Sequence, residues 1–115
     1  MSDTSSISLN LCTCPDLTTA QSLARQLVER GLAACVNILP GVSSVYAWQG
    51  QVEQAEEVLL LIKTASERVE TMQQALAQLH PYEVPEIISL PVSAGHHPYI
   101  QWVRECTLSS ATSCE

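Results

Sequence analysis

Basic residues are scarce in this chain. Its 115 residues include one lysine and four arginines against 12 acidic residues, which gives a net charge of −7. Proteins that bind the phosphates of nucleic acids, or the surface of an anionic membrane, need clustered lysine and arginine side chains. The composition therefore excludes nucleic acid and membrane surfaces as partners.

Charge of either sign is also low. The charged fraction is 15%, well below the roughly 25% of an average soluble domain. The complete surface of a monomer usually carries more charge than this. We therefore expect self-association to bury part of the surface.

Long hydrophobic runs are absent. The longest run, Val58 to Ile62, is far shorter than a membrane-spanning helix of roughly 20 residues. No cationic and then apolar leader begins the chain, and its five cysteines are an odd number. Both observations argue against a secreted disulfide framework, so we expect a cytoplasmic protein.

Motifs of common enzymes are missing too. The chain has no glycine-rich phosphate loop, no nucleophile-elbow serine and no histidines in H-x-x-x-H spacing. Acidic residues such as Glu53 and Glu83 lie on a predicted strand edge or in a proline-rich loop, where carboxylates mostly serve solvation or pairing. We do not expect an enzyme, and a thiol hydrolase using Cys12 and His80 is the least favoured alternative.

Apolar patterns predict four strands. The stretches 7–14 and 34–48 alternate with the period of two that is typical of half-buried strands, and 87–92 is the fourth strand. The third strand, 51–64, is apolar on both faces from Val58 to Ile62, so we expect it to be buried on both sides. The second stretch bends at Pro40-Gly41. Gln49-Gly50 has the spacing of a tight hairpin, so the second and third strands should form one long bent pair.

Apolar residues three and four positions apart predict three helices. The first is capped by Asp16 and ends at Gly31. The second opens with a capping box of Thr64 and Glu67 and ends before Pro81. A short third helix carries apolar residues between 100 and 106.

The order strand, helix, strand, strand, helix, strand is that of the ferredoxin-like βαββαβ sandwich, an α+β fold. Its crossovers place both helices on one face of a four-stranded antiparallel sheet and leave the other face bare. We expect Cys12 and Cys14 on the bare face, which then needs a partner subunit. The predicted boundaries are a flexible N-terminus over 1–6, one domain with a short C-terminal helix over 7–106, and a flexible tail over 107–115.

Several motifs carry a resemblance to a known family: Gly31-Leu32-Ala33-Ala34-Cys35, Pro40-Gly41, Tyr46-Ala47-Trp48-Gln49-Gly50 and His80-Pro81-Tyr82-Glu83-Val84-Pro85-Glu86. In order and spacing they closely resemble the CutA family of divalent-cation-tolerance proteins. The similarity runs from Cys12-Thr13 to Trp102. The resemblance implies a ferredoxin-like homotrimer whose long hairpins pair across subunits, an association with copper and other divalent metals, and no agreed catalytic activity.

The resemblance also implies a set of metal ligands. In some bacterial members copper ligation is attributed to positions that correspond here to Cys12, Leu79 and His80, and leucine cannot ligate. Our own inference is that Cys14 completes the site, because Cys12 and Cys14 share one face of a strand with Cα atoms roughly 6.6 Å apart. A fourth strand antiparallel to the first brings His80 close to both. Thiolate and imidazole suit copper or zinc better than magnesium or calcium; the alternative is that both cysteines are small apolar residues packed in a subunit interface.

Two hypotheses of function follow from these predictions. The first is a trimeric cytoplasmic protein of divalent metal tolerance that binds copper or a related ion at Cys12, Cys14 and His80. The second is a trimeric PII-like signalling or scaffold module, in which clefts between subunits bind a small molecule or a partner protein and the metal is incidental.

Overall fold

The computed structural model describes residues 6–108, and these form one four-stranded antiparallel sheet with three helices. The strands are β1 (Ile7–Cys14), β2 (Cys35–Trp48), β3 (Gln51–Ala65) and β4 (Ile87–Pro91). The helices are α1 (Leu17–Glu29), α2 (Val69–Leu79) and α3 (His97–Leu108). The sheet order β2-β3-β1-β4 confirms the predicted ferredoxin-like α+β fold.

The β2–β3 hairpin is long and bent, as predicted. Its turn residues Gln49 and Gly50 have φ angles of 50° and 78°, the positive values that a two-residue hairpin turn requires. The ladder shifts register between Leu39 and Val42, and Gly41 between them has a φ of 81°. Beyond this shift the hairpin extends away from the helices, so most of its outer residues are exposed.

The hydrophobic core lies between the sheet and the helices α1 and α2. Cys12 and Cys14 are both 0% exposed within it, so the prediction that they lie on the bare face is wrong. Cys12 pairs with Leu60 and Cys14 with Val58, and directly paired residues of an antiparallel ladder share a face. The helices cover this face, and the core around the two cysteines comprises Ala20, Leu23, Leu27, Leu32, Ala33, Ile62, Met72 and Leu76.

The opposite face of the sheet is covered by α3 at the Ile7 end of β1, where Ile7 packs with Val103 and Cys106. Neither α1 nor α2 covers the rest of this face, and leucine is its main residue. Leu11 pairs with Leu61 of β3 and with Ile88 of β4. Ile88 and Leu90 are 50% and 44% exposed. We call this surface the open face, defined by Leu9, Leu11, Leu59, Leu61, Ile88 and Leu90.

The start of α2 differs from the prediction. Thr64 belongs to β3, where it pairs with Ser8, and its buried hydroxyl has no hydrogen-bond partner. Glu67 accepts two hydrogen bonds from the Arg104 guanidinium, at 2.9 and 2.8 Å. The predicted capping box is therefore wrong, because the ladder holds Thr64 and α3 supplies a stronger partner to Glu67.

The end of α3 lies two residues beyond the predicted domain boundary of 106. Thr107 is 3% exposed. Its hydroxyl donates to the carbonyl of Val103 at 2.8 Å and accepts from the backbone N–H of Ala65 at 3.1 Å. Thr107 and Leu108 thus belong to the folded domain, and the rest of the predicted tail lies outside the described residues. Across residues 6–108 no helix has the length and apolar character needed to cross a membrane.

Candidate metal centre

The three predicted ligands Cys12, Cys14 and His80 come together in one buried cluster. Their ligand atoms all lie within 4.8 Å of one another. Both cysteines are 0% exposed and His80 is 7% exposed. Among residues 6–108 this is the one group of three cysteine, histidine or acidic side chains close enough to share an ion.

Local chain geometry explains how the cluster forms. The strand period places Cys12 and Cys14 on the same face of β1. Helix α2 ends at Leu79 because Pro81 follows, and the residue before a proline favours extended backbone. His80 accordingly has φ −75° and ψ 141°, while its N–H still donates to the carbonyl of Leu76 at 2.9 Å.

Both ring nitrogens of His80 already have hydrogen-bond partners. Nε2 donates to the carbonyl oxygen of Thr13 at 2.8 Å, and Nδ1 accepts from the backbone N–H of Tyr82 at 3.1 Å. This pair of partners defines a neutral imidazole with its proton on Nε2. To bind an ion, His80 has to exchange one of the two hydrogen bonds for the metal bond.

The two thiols differ in acidity because they share a proton. The hydrogen bond from Cys12 lowers the pKa of Cys14, although burial opposes this. The pKa of Cys12 is raised, first by that same hydrogen bond to Cys14, then by burial and by the negative charges of Cys14, Glu86 and Glu57. The Cys12 sulfur also lies 3.8 Å from the carbonyl oxygen of Thr13, but an ionised sulfur is the stronger acceptor. Cys14 is therefore the first of the pair to become a thiolate.

Cys35 and Leu79 do not contribute to the cluster. Cys35 is a free cysteine in β2, and its sulfur lies 3.8 Å from Nζ of Lys63, which also hydrogen-bonds Asn37. Leu79 is partly buried against the core. Cys35 therefore lies outside the group of side chains that could share an ion.

Two residues that hold this region together were not predicted. Tyr82 donates its backbone N–H to His80, its ring lies 4.8 Å from the His80 ring, and its hydroxyl donates to Glu57 at 2.9 Å. Burial and the neighbouring Glu57 carboxylate raise the pKa of Tyr82 to about 12. The Pro-Tyr motif marks Tyr82 in the sequence, but nothing there connects it with Glu57, which is 25 residues away.

A cleft of about 790 Å³ opens beside the cluster, between the outer hairpin and the loop after α2. Tyr82 and Glu57 stand in its wall. We call it the Tyr82 cleft; its other main lining residues are Tyr46, Trp48, Glu83 and Glu86.

Comparisons with known proteins agree in pointing to one family. Residues 8–106 match the family described as CutA1 divalent ion tolerance protein. The chain is 46% identical to protein CutA of Homo sapiens over 94% of this chain and 60% of that protein. It is also 46% identical to the divalent-cation tolerance protein CutA of Thermus thermophilus over 84% of this chain and 94% of that protein. The chain thus spans about three fifths of the human relative's length.

Solved structures give the same result. The crystal structure of CutA from Xylella fastidiosa has a TM-score of 0.88 and 44% identity, and covers 90% of this chain and 99% of that one. A structure described as the periplasmic divalent cation tolerance protein CutA from Archaeoglobus fulgidus has a TM-score of 0.85 and 33% identity, with 88% and 98% covered.

Proposed function

The chain belongs to the CutA1 family of divalent ion tolerance proteins, and we propose that it is a cytoplasmic homotrimer that binds copper at Cys12, Cys14 and His80. Zinc is the related ion that we expect to compete. The observation that carries the proposal is the convergence of three buried ligand atoms within 4.8 Å. The family is named for tolerance of divalent ions and not for a catalytic activity, and we propose none.

The donor set fits a soft or borderline ion. Two sulfurs and one imidazole nitrogen suit Cu(I), Cu(II) or Zn(II), whereas magnesium and calcium need oxygen ligands. Both cysteines are free. Because Cys14 ionises first, it is the initial anchor for an ion. Binding then displaces the Cys12 proton, so metal uptake releases protons and weakens as pH falls.

Leu79 replaces one of the histidines that the resemblance implies. The chain itself offers Cys14 as the alternative third ligand, since its sulfur lies in the same cluster as the Cys12 sulfur and the His80 imidazole. A thiolate in place of an imidazole makes the site softer, so we expect Cu(I) to bind more tightly than Zn(II).

The homotrimer is supported by the open face. Its leucines and isoleucine form a contiguous apolar surface, and exposed apolar patches of this kind usually mark contacts between proteins. Ile88 and Leu90 lie in β4 and pair with β1. They are the most exposed residues of the open face, at 50% and 44%. Light scattering tests this directly: a monomeric mass at micromolar concentration contradicts the proposal.

A copper titration tests the site. Cu(I) affinity is measured by competition with a chromophoric chelator for the parent and for Cys12→Ser and Cys14→Ser, with Zn(II) and Mg(II) as further ions. Cys35→Ser is the matched control, because Cys35 is also a free cysteine but lies outside the cluster. We expect both cluster variants to lose at least about tenfold in affinity and the control to match the parent. Equal affinity in all four proteins contradicts the proposal.

A second candidate function is a PII-like signalling or scaffold module that binds a small molecule or a partner protein. The specific observation in its favour is the Tyr82 cleft, because about 790 Å³ lies within the range of small-molecule sites. Thermal-shift screening with metabolites tests this candidate separately from the metal titration.

A further inference from the structure

The two hydrogen bonds of the His80 ring limit how an ion can bind. Nε2 donates to the Thr13 carbonyl at 2.8 Å, and Nδ1 accepts from the Tyr82 backbone N–H at 3.1 Å. An ion that binds Nδ1 replaces the Tyr82 N–H directly. The Nε2–H bond to the Thr13 carbonyl then stays in place, which is the usual arrangement of a metal-bound histidine whose other nitrogen donates to a backbone carbonyl.

Binding through the other nitrogen breaks the same contact. When the ion binds Nε2, the neutral imidazole carries its remaining proton on Nδ1. The Nδ1–H group and the Tyr82 N–H are then two donors that face each other, and two donors form no hydrogen bond. Either mode of binding at His80 therefore removes the hydrogen bond from Tyr82.

Tyr82 is also held at the other end of its side chain. Its hydroxyl donates to the Glu57 carboxylate at 2.9 Å, and its ring lies 4.8 Å from the His80 ring. Glu57 pairs with Val42, where the β2–β3 ladder resumes after its shift of register, so Glu57 lies at the bend of the hairpin. Tyr82 thus connects the metal cluster with the hairpin bend, through contacts that all lie within one chain.

We propose that Tyr82 couples ion binding at the cluster to the bend of the β2–β3 hairpin. Ion binding displaces the Tyr82 N–H from His80, whereas the hydrogen bond to Glu57 holds Tyr82 in the position that this N–H has to leave. The contact with Glu57 therefore opposes ion binding. Ion binding in turn weakens that contact by the same factor, because coupling between two sites is reciprocal. The inference rests on the proposed copper site and adds the response of the hairpin to the bound ion.

Tyrosine amide signals test the displaced hydrogen bond. The chain has three tyrosines, so selective ¹⁵N-tyrosine labelling of the full chain reduces the NMR spectrum to three amide signals. The probe is Cu(I), which is diamagnetic, added under reducing conditions. We expect the Tyr82 amide to exchange with solvent at least about tenfold faster in the copper-bound protein, because its N–H loses its acceptor. The Tyr99 amide, which donates to the His96 carbonyl at 3.0 Å, is the internal control and should keep its rate.

Tyr82→Phe tests the contact with Glu57, because it removes the hydroxyl and keeps the ring and the backbone N–H. The variant should bind Cu(I) at least about threefold more tightly than the parent, since it loses a hydrogen bond that opposes binding. A merely structural role of the hydroxyl would not tighten binding. Tyr99→Phe removes a hydroxyl from α3 instead and should leave the copper affinity unchanged.

The outcomes separate this inference from the copper site itself. Copper binding that depends on Cys12, together with an unchanged exchange rate of the Tyr82 amide, overturns the inference and leaves the proposed function intact. Equal copper affinity of Tyr82→Phe and the parent has the same meaning. Equal affinity of Cys12→Ser and the parent contradicts the copper site, and the inference then fails with it.

Discussion

Replacing His80 separates its role in the fold from its proposed role as a ligand. Its Nε2–H donates to the Thr13 carbonyl, and its Nδ1 accepts from the Tyr82 N–H. His80→Ala removes both contacts and the imidazole. His80→Gln also removes the imidazole, but its side-chain amide can place a donor near the former position of Nε2. The two variants should therefore share the loss of metal binding and differ in stability.

The cost in stability follows from the burial of the two partners. Thr13 is 6% exposed, and a buried carbonyl that loses its donor costs about 1–3 kcal/mol. Tyr82 is 37% exposed, so water can replace its partner at little cost. With the lost packing of the ring, His80→Ala should destabilise the fold by about 2–4 kcal/mol.

These energies correspond to measurable shifts in melting temperature. An unfolding entropy of about 2.1 cal/mol/K per residue over 115 residues makes 1 kcal/mol equivalent to about 4 °C. His80→Ala should therefore melt about 8–16 °C below the parent, and His80→Gln about 4 °C below. All proteins are compared at one concentration by calorimetry, because association makes the melting temperature depend on concentration.

The same two variants are then titrated with Cu(I) under reducing conditions. Loss of a direct ligand should weaken binding at least about tenfold in both. If His80→Gln binds copper as tightly as the parent, His80 is not a ligand. If His80→Ala melts within a degree or two of the parent, the Thr13 carbonyl does not depend on the ring.

Three further predictions concern the open face, the thiol pair and the hairpin. Leu61→Glu should dissociate the assembly, whereas the control Val28→Glu, at a 44% exposed position of α1, should not; light scattering that shows the same mass for both contradicts the trimer surface. Because the hydrogen bond from Cys12 lowers the pKa of Cys14, Cys12→Ala should raise the pH at which the first thiolate appears in ultraviolet absorbance, and an unchanged titration refutes the shared proton. Gln49→Asn should raise the melting temperature by about 2–4 °C, since asparagine tolerates the φ of 50° better; a lower value by calorimetry counts against this account of the turn.

Much of the fold could be predicted from local patterns. Alternation over Ile7–Cys14 gives β1 with its observed ends, and the two-residue spacing of Gln49-Gly50 marks the hairpin because glycine accepts the positive φ that its second position requires. The meeting of Cys12 with His80 also follows from topology, since β4 pairs antiparallel with β1 and α2 ends near the start of β4.

Other features depended on contacts between residues far apart in the chain. The sequence made Cys12 and Cys14 share a face, but β1 has apolar residues on both faces, so periodicity alone could not decide which face the helices cover. Thr64 and Glu67 have the spacing of a cap, yet the ladder to Ser8 and the guanidinium of Arg104 determine their partners.

The sequence by itself thus determined the strands, the turn and the three candidate metal donors. Only the tertiary structure decided that both nitrogens of His80 are already hydrogen-bonded, and that Cys14 rather than Cys12 ionises first. The physical reason is the distance along the chain over which each effect acts. Dihedral preferences and the alternation of side chains between faces act within a few residues. Hydrogen bonding and burial depend instead on neighbours such as Thr13, which lies 67 residues from His80 along the chain.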